Sequence, residues 1–253
     1  MKSLSGTSAL SVIKPTQSVT LWLALLPKVS IHRHVPPSGL GETFNPIYYP
    51  PYRSGPEFVT HMQLVSFSDS VKDSKCKLLY LCRNLKDTFV SLRHYDNKLT
   101  HNEMGIQALE EVIEEAFDQF CRGVSSYGPY RDHVLDYYET SSVMPPEVLF
   151  LRYEEMMEKP GEQMKRMDDL LGFPFSEDEE ANGGVDEILR LCSFDNLSNL
   201  EVNQTGKLWT GMENEFFFRK GDVGGWVNSL TPEMIERLDH TPEEKLGSSG
   251  LKL

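Results

Sequence analysis

Two residues with side chains suited to binding an anion lie eight positions apart near residue 90. Arg83 directly follows the apolar run KLLYLC, and Ser91 lies further along the same stretch. A guanidinium and a hydroxyl can both donate hydrogen bonds to a ligand, so the pair raises the question of a binding site near this strand end. The alternative is an arginine that only ends a strand and meets solvent.

The residues around this pair indicate a strand followed by a helix. Residues 77–82 are apolar almost throughout, as in a strand that is buried on both faces. Asn84 is a favourable helix cap, and Asp87 falls in the first turn, where the helix dipole favours an acid. Because open α/β sheets bind ligands beyond the carboxyl ends of their strands, Arg83 would lie where a ligand is expected.

Strands and helices alternate from about residue 58 onward. FVTHM (58–62) and VLFLRY (148–153) are typical of further strands, and the helical patterns between them predict parallel pairing. We therefore predict an α/β fold with three layers, a central parallel sheet flanked by helices. Residues 1–57, which carry only one apolar run at 20–26, form an atypical N-terminal segment of this one domain, and 58–253 form its main part. The predicted helices are 85–98, 105–121, 131–140, 154–172 with an interruption near Pro160, 185–194, and a last one capped by Thr231.

Charge and cysteine content argue against several classes of protein. A net charge of -13 over 253 residues opposes nucleic acid or an anionic membrane as a main partner. No apolar stretch reaches the roughly 18 residues of a membrane span, and the run at 20–26 lacks the cleavage pattern of a secretory leader. The four cysteines show no CxxC spacing, which predicts neither a metal site nor a disulfide framework and favours a reducing, cytoplasmic location.

Several separate motifs together resemble the cytosolic sulfotransferases, in particular the soluble plant branch. The resemblance runs from about residue 58 to the C-terminus, and the motifs occur in the family's order. It implies a P-loop-like sulfotransferase fold and transfer of a sulfonate from 3'-phosphoadenosine-5'-phosphosulfate (PAPS) to an acceptor hydroxyl, without a metal. The motifs are YLCRNLKDTFVSLRHYDNKL, SYGPYRDHVLDYYE, VLFLRYEEMMEKP, LCSFDNLSNLEVN and FFRKGDVGGWVNSLTPEMIERLD.

The same resemblance assigns roles to individual residues. His61 matches the family's catalytic base, because a neutral imidazole can take the proton of the acceptor hydroxyl. The residues that match the 3'-phosphate site are Arg83, Ser91, Arg219, Lys220 and Gly221. The residues that match the adenine site are Tyr153, Cys192, Ser193 and Phe194. Tyr153 could instead be an ordinary core tyrosine, since its ring is large and amphipathic.

The loop that cradles the 5'-phosphosulfate in this family is degenerate here. Aligned on its tryptophan, the motif keeps Ser18, Thr20 and Trp22 as cofactor-binding residues. The departures from the motif are Gln17 for lysine, Val19 for glycine and Leu21 for threonine. A lysine there would stabilise charge in the transition state, and valine restricts the backbone. Three hypotheses follow: a working sulfotransferase with an atypical loop, a relative that binds nucleotide or a partner without turnover, or a chain whose residues 1–57 do not fold natively.

The acceptor and the oligomeric state are less defined by the sequence. Family acceptors are small hydroxylated molecules, namely flavonoids, steroids, hormones or desulfo-glucosinolates. The segment 203–218 mixes glycine, aromatic and charged residues, as in a mobile lid or an ordinary surface loop. A dimerisation pattern of animal relatives survives only in part, which predicts a monomer or a weak homodimer. Its remnants are Val227, Thr231, Pro232 and Glu236.

Overall fold

Within the residues that the structure describes, the fold is built on a four-stranded parallel sheet. The computed structural model describes residues 10–13, 58–69, 76–104, 113–125, 129–207, 211, 213–246 and 249–251. The strands β1 to β4 are Leu10–Ile13, Phe58–Thr60, Lys77–Cys82 and Val148–Arg152, and they lie in the order β2-β1-β3-β4 with every pair parallel. The expected α/β class with a central parallel sheet is therefore confirmed.

Helices cover both faces of the sheet. Ten α-helices lie within the described residues beyond β3, and they are numbered α1 to α10. Their bounds are α1 Leu85–Met104, α2 Ile113–Cys121, α3 Tyr130–Val143, α4 Tyr153–Glu158, α5 Pro160–Leu171, α6 Glu177–Ala181, α7 Gly184–Leu191, α8 Phe194–Ser198, α9 Glu201–Thr205 and α10 Pro232–Leu246. Short 3₁₀ helices occupy Leu64–Ser66, Asn214–Phe217 and Gly225–Asn228.

The side chains of β3 alternate between two hydrophobic cores. Leu79 and Leu81 pack against α5 and α7, where Met164 and Met167 are fully or almost fully buried. On the opposite face, Tyr80 packs with residues of α3 and β4. Because both faces are covered, the strand is apolar throughout, which explains the unbroken run in the sequence. A third cluster joins α1, α2 and α10 through Phe89, Phe117, Phe120, Leu230 and Leu238.

Most of the predicted elements are confirmed, with shifts at their ends. The last predicted strand ends at Arg152, and Tyr153 already begins α4. The Pro160 interruption separates α4 from α5, as expected. The helix predicted over 185–194 is divided, because Ser193 accepts a hydrogen bond from the Asn196 amide and caps a new helix.

The N-terminal region contains a strand that the sequence did not indicate. Strand β1 lies at 10–13 and pairs with β2 and β3 in the middle of the sheet. The apolar run 20–26 and the helical residues expected at 105–112 lie outside the described residues. The division at residue 57 stays a prediction. Among the residues that the structure describes, no helix is long and apolar enough to cross a membrane.

Candidate functional site

Arg83 lies directly beyond the carboxyl end of β3 and is held from several sides. It is only 4% exposed, and its Nη2 donates to the carbonyl of Asp222 at 2.6 Å. The guanidinium lies 4.5 Å above the ring of Tyr153 and 3.5 Å from the carboxylate of Asp87. Its Nε is buried and has no hydrogen-bond partner among the described residues. A buried donor in this state requires an acceptor, and a bound anion would supply one.

The backbone of Arg83 is fixed by a tyrosine of α3. The amide of Arg83 donates to the Tyr130 hydroxyl at 3.1 Å, and that hydroxyl donates to the Arg83 carbonyl. Burial raises the pKa of Tyr130, so the hydroxyl keeps the proton that it donates. The strand end therefore does not depend on solvent for its hydrogen bonds.

Asp87 joins the start of α1 to a loop that follows 132 residues later. Its carboxylate is fully buried and accepts from the amide of Gly224 at 2.8 Å and from the amide of Trp226 at 3.2 Å. The Asn84 side chain donates to the same carboxylate at 2.8 Å. The sequence predicted Asp87 only as a first-turn acid. In the fold it attaches the 219–226 loop to the strand end that carries Arg83.

These contacts create a cavity with a cationic wall, of about 310 Å³. It brings together all five residues that were predicted for the 3'-phosphate. They are Arg83, Ser91, Arg219, Lys220 and Gly221. The first two come from the β3–α1 junction and the other three from the loop before α10. We call this space the cationic cavity.

The sequence reasoning missed a row of residues on α1 that also line the cationic cavity. His94, Tyr95 and Lys98 follow Ser91 at spacings of three, four and seven residues. That spacing places all four on one face of a helix, so the signal was present in the sequence. Burial lowers the pKa of His94, and the nearby cations Arg219, Lys98, Lys220 and Arg93 lower it further.

A second cavity of about 230 Å³ adjoins the first and is mainly apolar. It contains the four residues predicted for the adenine site, Tyr153, Cys192, Ser193 and Phe194. Gly221 and Phe194 line both cavities. The Tyr153 hydroxyl donates to the Gly221 carbonyl at 2.8 Å, so this tyrosine also holds the loop. We call this space the apolar cavity.

Gly221 provides a test of how tightly the two cavities are joined. Its φ is +68°, and a Cβ there would lie 2.7 Å from Cγ of Phe194. At Gly224, where φ is +83°, no atom of the described residues lies within 4 Å of a Cβ. We expect Gly221→Ala and Gly224→Ala each to lower the free energy of unfolding by about 1–2 kcal/mol through backbone strain. Only Gly221→Ala should also weaken binding of 3',5'-ADP, the product that PAPS would leave after sulfonate transfer, because it displaces Phe194. Urea denaturation measures the loss of stability, and calorimetric titration measures the loss of affinity. Equal losses of affinity in both variants would contradict a specific effect of Phe194.

The remaining predicted site residues lie elsewhere. His61 directly follows β2 and is half-buried, and its carbonyl lies 3.2 Å from Nε2 of His133. It does not line either cavity described above. Because β2, β3 and β4 are parallel, His61, Arg83 and Tyr153 all follow strand ends at the same edge of the sheet. Ser18, Thr20 and Trp22 lie outside the described residues. Among the described residues, no group of three His, Cys, Asp or Glu side chains could hold a metal ion.

Comparison with known proteins identifies the family to which this fold and site belong. Residues 51–250 match the family model described as Sulfotransferase domain. The chain therefore belongs to the sulfotransferase family, as the motifs indicated.

The similar proteins place the chain among the cytosolic sulfotransferases of plants. Cytosolic sulfotransferase 1 of Arabidopsis thaliana is 48% identical over 195 residues, which are 77% of this chain and 58% of that relative. Cytosolic sulfotransferase 12 of the same plant is 40% identical over 97% of this chain and 79% of its own length. The crystal structure of a mouse sulfotransferase complexed with PAP is 25% identical, with a TM-score of 0.70 over 96% of this chain and 84% of that one. The chain thus spans less than two thirds of the first relative's length.

Proposed function

We propose that the chain transfers a sulfonate group from PAPS to a hydroxyl of a small-molecule acceptor and leaves 3',5'-ADP. The observation that carries the proposal is the cationic cavity, where Arg83, Ser91, Arg219 and Lys220 converge from two distant segments. The buried Nε of Arg83, which has no hydrogen-bond partner in the described part of the chain, fits a ligand with phosphate oxygens. The mouse relative complexed with PAP, which is 3',5'-ADP, supports the same ligand class.

Different residues of the chain would bind different parts of the PAPS molecule. The cationic cavity would hold the 3'-phosphate through the Arg83 guanidinium, the Ser91 hydroxyl and the 219–221 loop. The apolar cavity would hold the adenine against Phe194, because its lining offers little else than apolar surface. When bound, PAPS supplies an activated sulfonate. His61 would take the proton of the acceptor hydroxyl, and no metal is needed for that step.

A second function is favoured by the sequence of the N-terminal loop. Gln17 replaces the lysine that would stabilise charge on the leaving oxygen, and loss of such a group commonly costs about 3–4 kcal/mol of barrier. The chain would then bind 3',5'-ADP or PAPS, or a partner, without turnover. Ser18, Thr20 and Trp22 could still contribute to nucleotide affinity in this case.

The test is a calorimetric titration of the folded chain with 3',5'-ADP, followed by assays with radiolabelled PAPS. Micromolar binding and sulfonation of a flavonol, a steroid or a desulfo-glucosinolate would support the first function. Binding without transfer to any acceptor would support the second. Absence of binding to a sample with a cooperative unfolding transition would contradict both.

The acceptor class and the cellular setting follow from the same family. We propose a flavonoid, a steroid, a hormone or a desulfo-glucosinolate as acceptor, and the cytosol as location, as in the relatives named cytosolic sulfotransferases. Phe216 and Phe217, which lie in the 3₁₀ helix of the 203–218 segment, line the cationic cavity. That segment therefore contributes to the site as a wall. We propose a monomer or a weak homodimer.

Binding of 3',5'-ADP should be linked to proton uptake by His94. Its pKa is below the ordinary 6.5 in the free protein because of burial and of the cations Arg219, Lys98, Lys220 and Arg93. A bound phosphate dianion opposes those cations, so the pKa of His94 rises in the complex. The contribution of His94 to the affinity should therefore increase as the pH falls from about 7 toward 6, because the complex holds a proton that the free protein lacks.

The proton uptake can be measured by calorimetry in buffers of different ionisation enthalpy. The ligand phosphate also titrates near pH 6, in the wild type and in His94→Asn alike. The difference between the two proteins therefore isolates His94. Equal proton uptake by both would show that His94 does not sense the ligand.

A further inference from the structure

Helix α3 makes two hydrogen bonds to consecutive carbonyls of the turn that carries His61. Nε2 of His133 lies 3.2 Å from the His61 carbonyl, and the Tyr137 hydroxyl donates to the Met62 carbonyl at 3.2 Å. Both side chains are buried, His133 at 6% exposure and Tyr137 at 0%. The turn after β2 is thus attached to a helix that packs on the sheet.

The chemistry of the partners fixes the tautomer of His133. A carbonyl oxygen only accepts, so Nε2 must carry the proton that is shared with His61. In a neutral ring Nδ1 then accepts, and the Tyr80 hydroxyl, 3.0 Å away, donates to it. Burial lowers the pKa of His133, although its hydrogen bonds to the backbone of His61 and Met62 act in the opposite direction. The ring is therefore neutral near pH 7, with donation running from Tyr80 through His133 to His61.

The chain of hydrogen bonds is anchored in rigid elements. Tyr80 lies on β3, is fully buried, and stacks on Tyr137 with ring centroids 4.3 Å apart. It also stacks on Phe150 of β4 at 5.4 Å. A side chain held by a strand and a helix is positioned more accurately than one held by a loop.

We propose that His133 is a positioning residue that holds the backbone of His61 in place for its role as base. The inference rests on the proposed function, because it assigns His61 that role. His133 acts through the His61 carbonyl and does not touch the substrate. A displacement of about 1 Å at a reacting group can cost up to about 100-fold in rate, so the fixed carbonyl matters for turnover.

Two amide variants separate positioning from packing. The amide nitrogen of glutamine reaches the position of Nε2, so His133→Gln keeps the donor to His61 and leaves the Tyr80 hydroxyl without its acceptor. The amide oxygen of asparagine reaches the position of Nδ1, so His133→Asn keeps the acceptor for Tyr80 and loses the donor to His61. Each variant loses one hydrogen bond, which is buried for Tyr80 and half-buried for His61, and we expect decreases in thermal stability of similar size.

Turnover should distinguish the two variants. We expect His133→Asn to lower kcat by about 10- to 100-fold, with an unchanged Kd for 3',5'-ADP, and His133→Gln to keep kcat within a few-fold of the wild type. The assay uses PAPS and the acceptor of the panel that is sulfonated fastest. Equal kcat values for the two variants would overturn the proposal.

A second measurement does not depend on activity. Diethyl pyrocarbonate modifies neutral imidazoles, and peptide mass spectrometry follows the rate at His61 alone. We expect His133→Asn to change that rate and His133→Gln to leave it near the wild-type value. If the wild type binds 3',5'-ADP but sulfonates nothing, the catalytic half of the proposed function fails, and these rates decide the positioning role by themselves. Equal rates in both variants would then overturn it.

Discussion

Arg83→Ala is expected to weaken binding of 3',5'-ADP by about 100- to 1000-fold, because two charge-assisted hydrogen bonds of about 1.5–2 kcal/mol each are lost. The guanidinium lines the cationic cavity, and its buried Nε has no partner among the described residues. It needs no rearrangement to meet a phosphate, since Asp222, Asp87 and the Tyr153 ring already hold it. Calorimetric titration measures the loss.

The comparison with 5'-AMP shows which phosphate Arg83 binds. This ligand lacks the 3'-phosphate, so its affinity should change little when Arg83 is replaced. A loss of the same size for both ligands would contradict the assignment of Arg83 to the 3'-phosphate.

Two matched variants serve as controls for a general loss of structure in Arg83→Ala. Arg83→Lys keeps a cation beside Asp87 but cannot form the two parallel hydrogen bonds, so we expect a stable protein with an intermediate affinity. Ser91→Ala removes one hydroxyl from the same cavity and should weaken 3',5'-ADP binding by about 10-fold without a change in thermal stability. An Arg83→Lys protein with wild-type affinity would indicate that charge alone is sufficient.

Asp87→Ala is expected to lower the free energy of unfolding by about 3–5 kcal/mol, which is the usual cost of removing one partner of a buried ion pair. The substitution leaves the Arg83 guanidinium without its counter-ion and two half-buried amides, of Gly224 and Trp226, without their acceptor. It also releases the 219–226 loop, so the affinity for 3',5'-ADP should fall as well. Urea denaturation followed by circular dichroism measures the stability.

Two further variants test whether the loss of stability is specific to the hydrogen bonds and the ion pair of Asp87. Asp87→Asn should be intermediate, because an amide oxygen can accept from one of the two amides while its NH₂ faces the other. Asp239 of α10 pairs with Lys86, which lies next to Asp87 on α1, but the Asp239 side chain is 55% exposed. Asp239→Ala should therefore change stability little. If Asp87→Ala and Asp239→Ala have similar effects, burial of the Asp87 network does not explain its contribution.

The strand end and the helix that carry Arg83 and Ser91 were accessible from the sequence, because an apolar run, a helix cap and a helical pattern are local signals. Their proposed phosphate role came from the family resemblance. The 219–221 loop was accessible only through its resemblance to a family motif. His94, Tyr95 and Lys98 were overlooked although the same helical spacing links them to Ser91. The positions of Ser18, Thr20 and Trp22 stay predictions.

The sequence by itself determined the parallel α/β fold, its family and the residue types of the proposed nucleotide site, since periodicity and motifs are local properties. Only the tertiary structure decided that Asp87 holds the amides of Gly224 and Trp226, and that His133 holds the carbonyl of His61. It also decided that strand β1 lies inside the sheet. The physical reason is common to these contacts: each has a backbone N–H or C=O as partner, and every non-proline residue carries both groups. The residue type at the partner's position therefore does not indicate that a side chain binds its backbone.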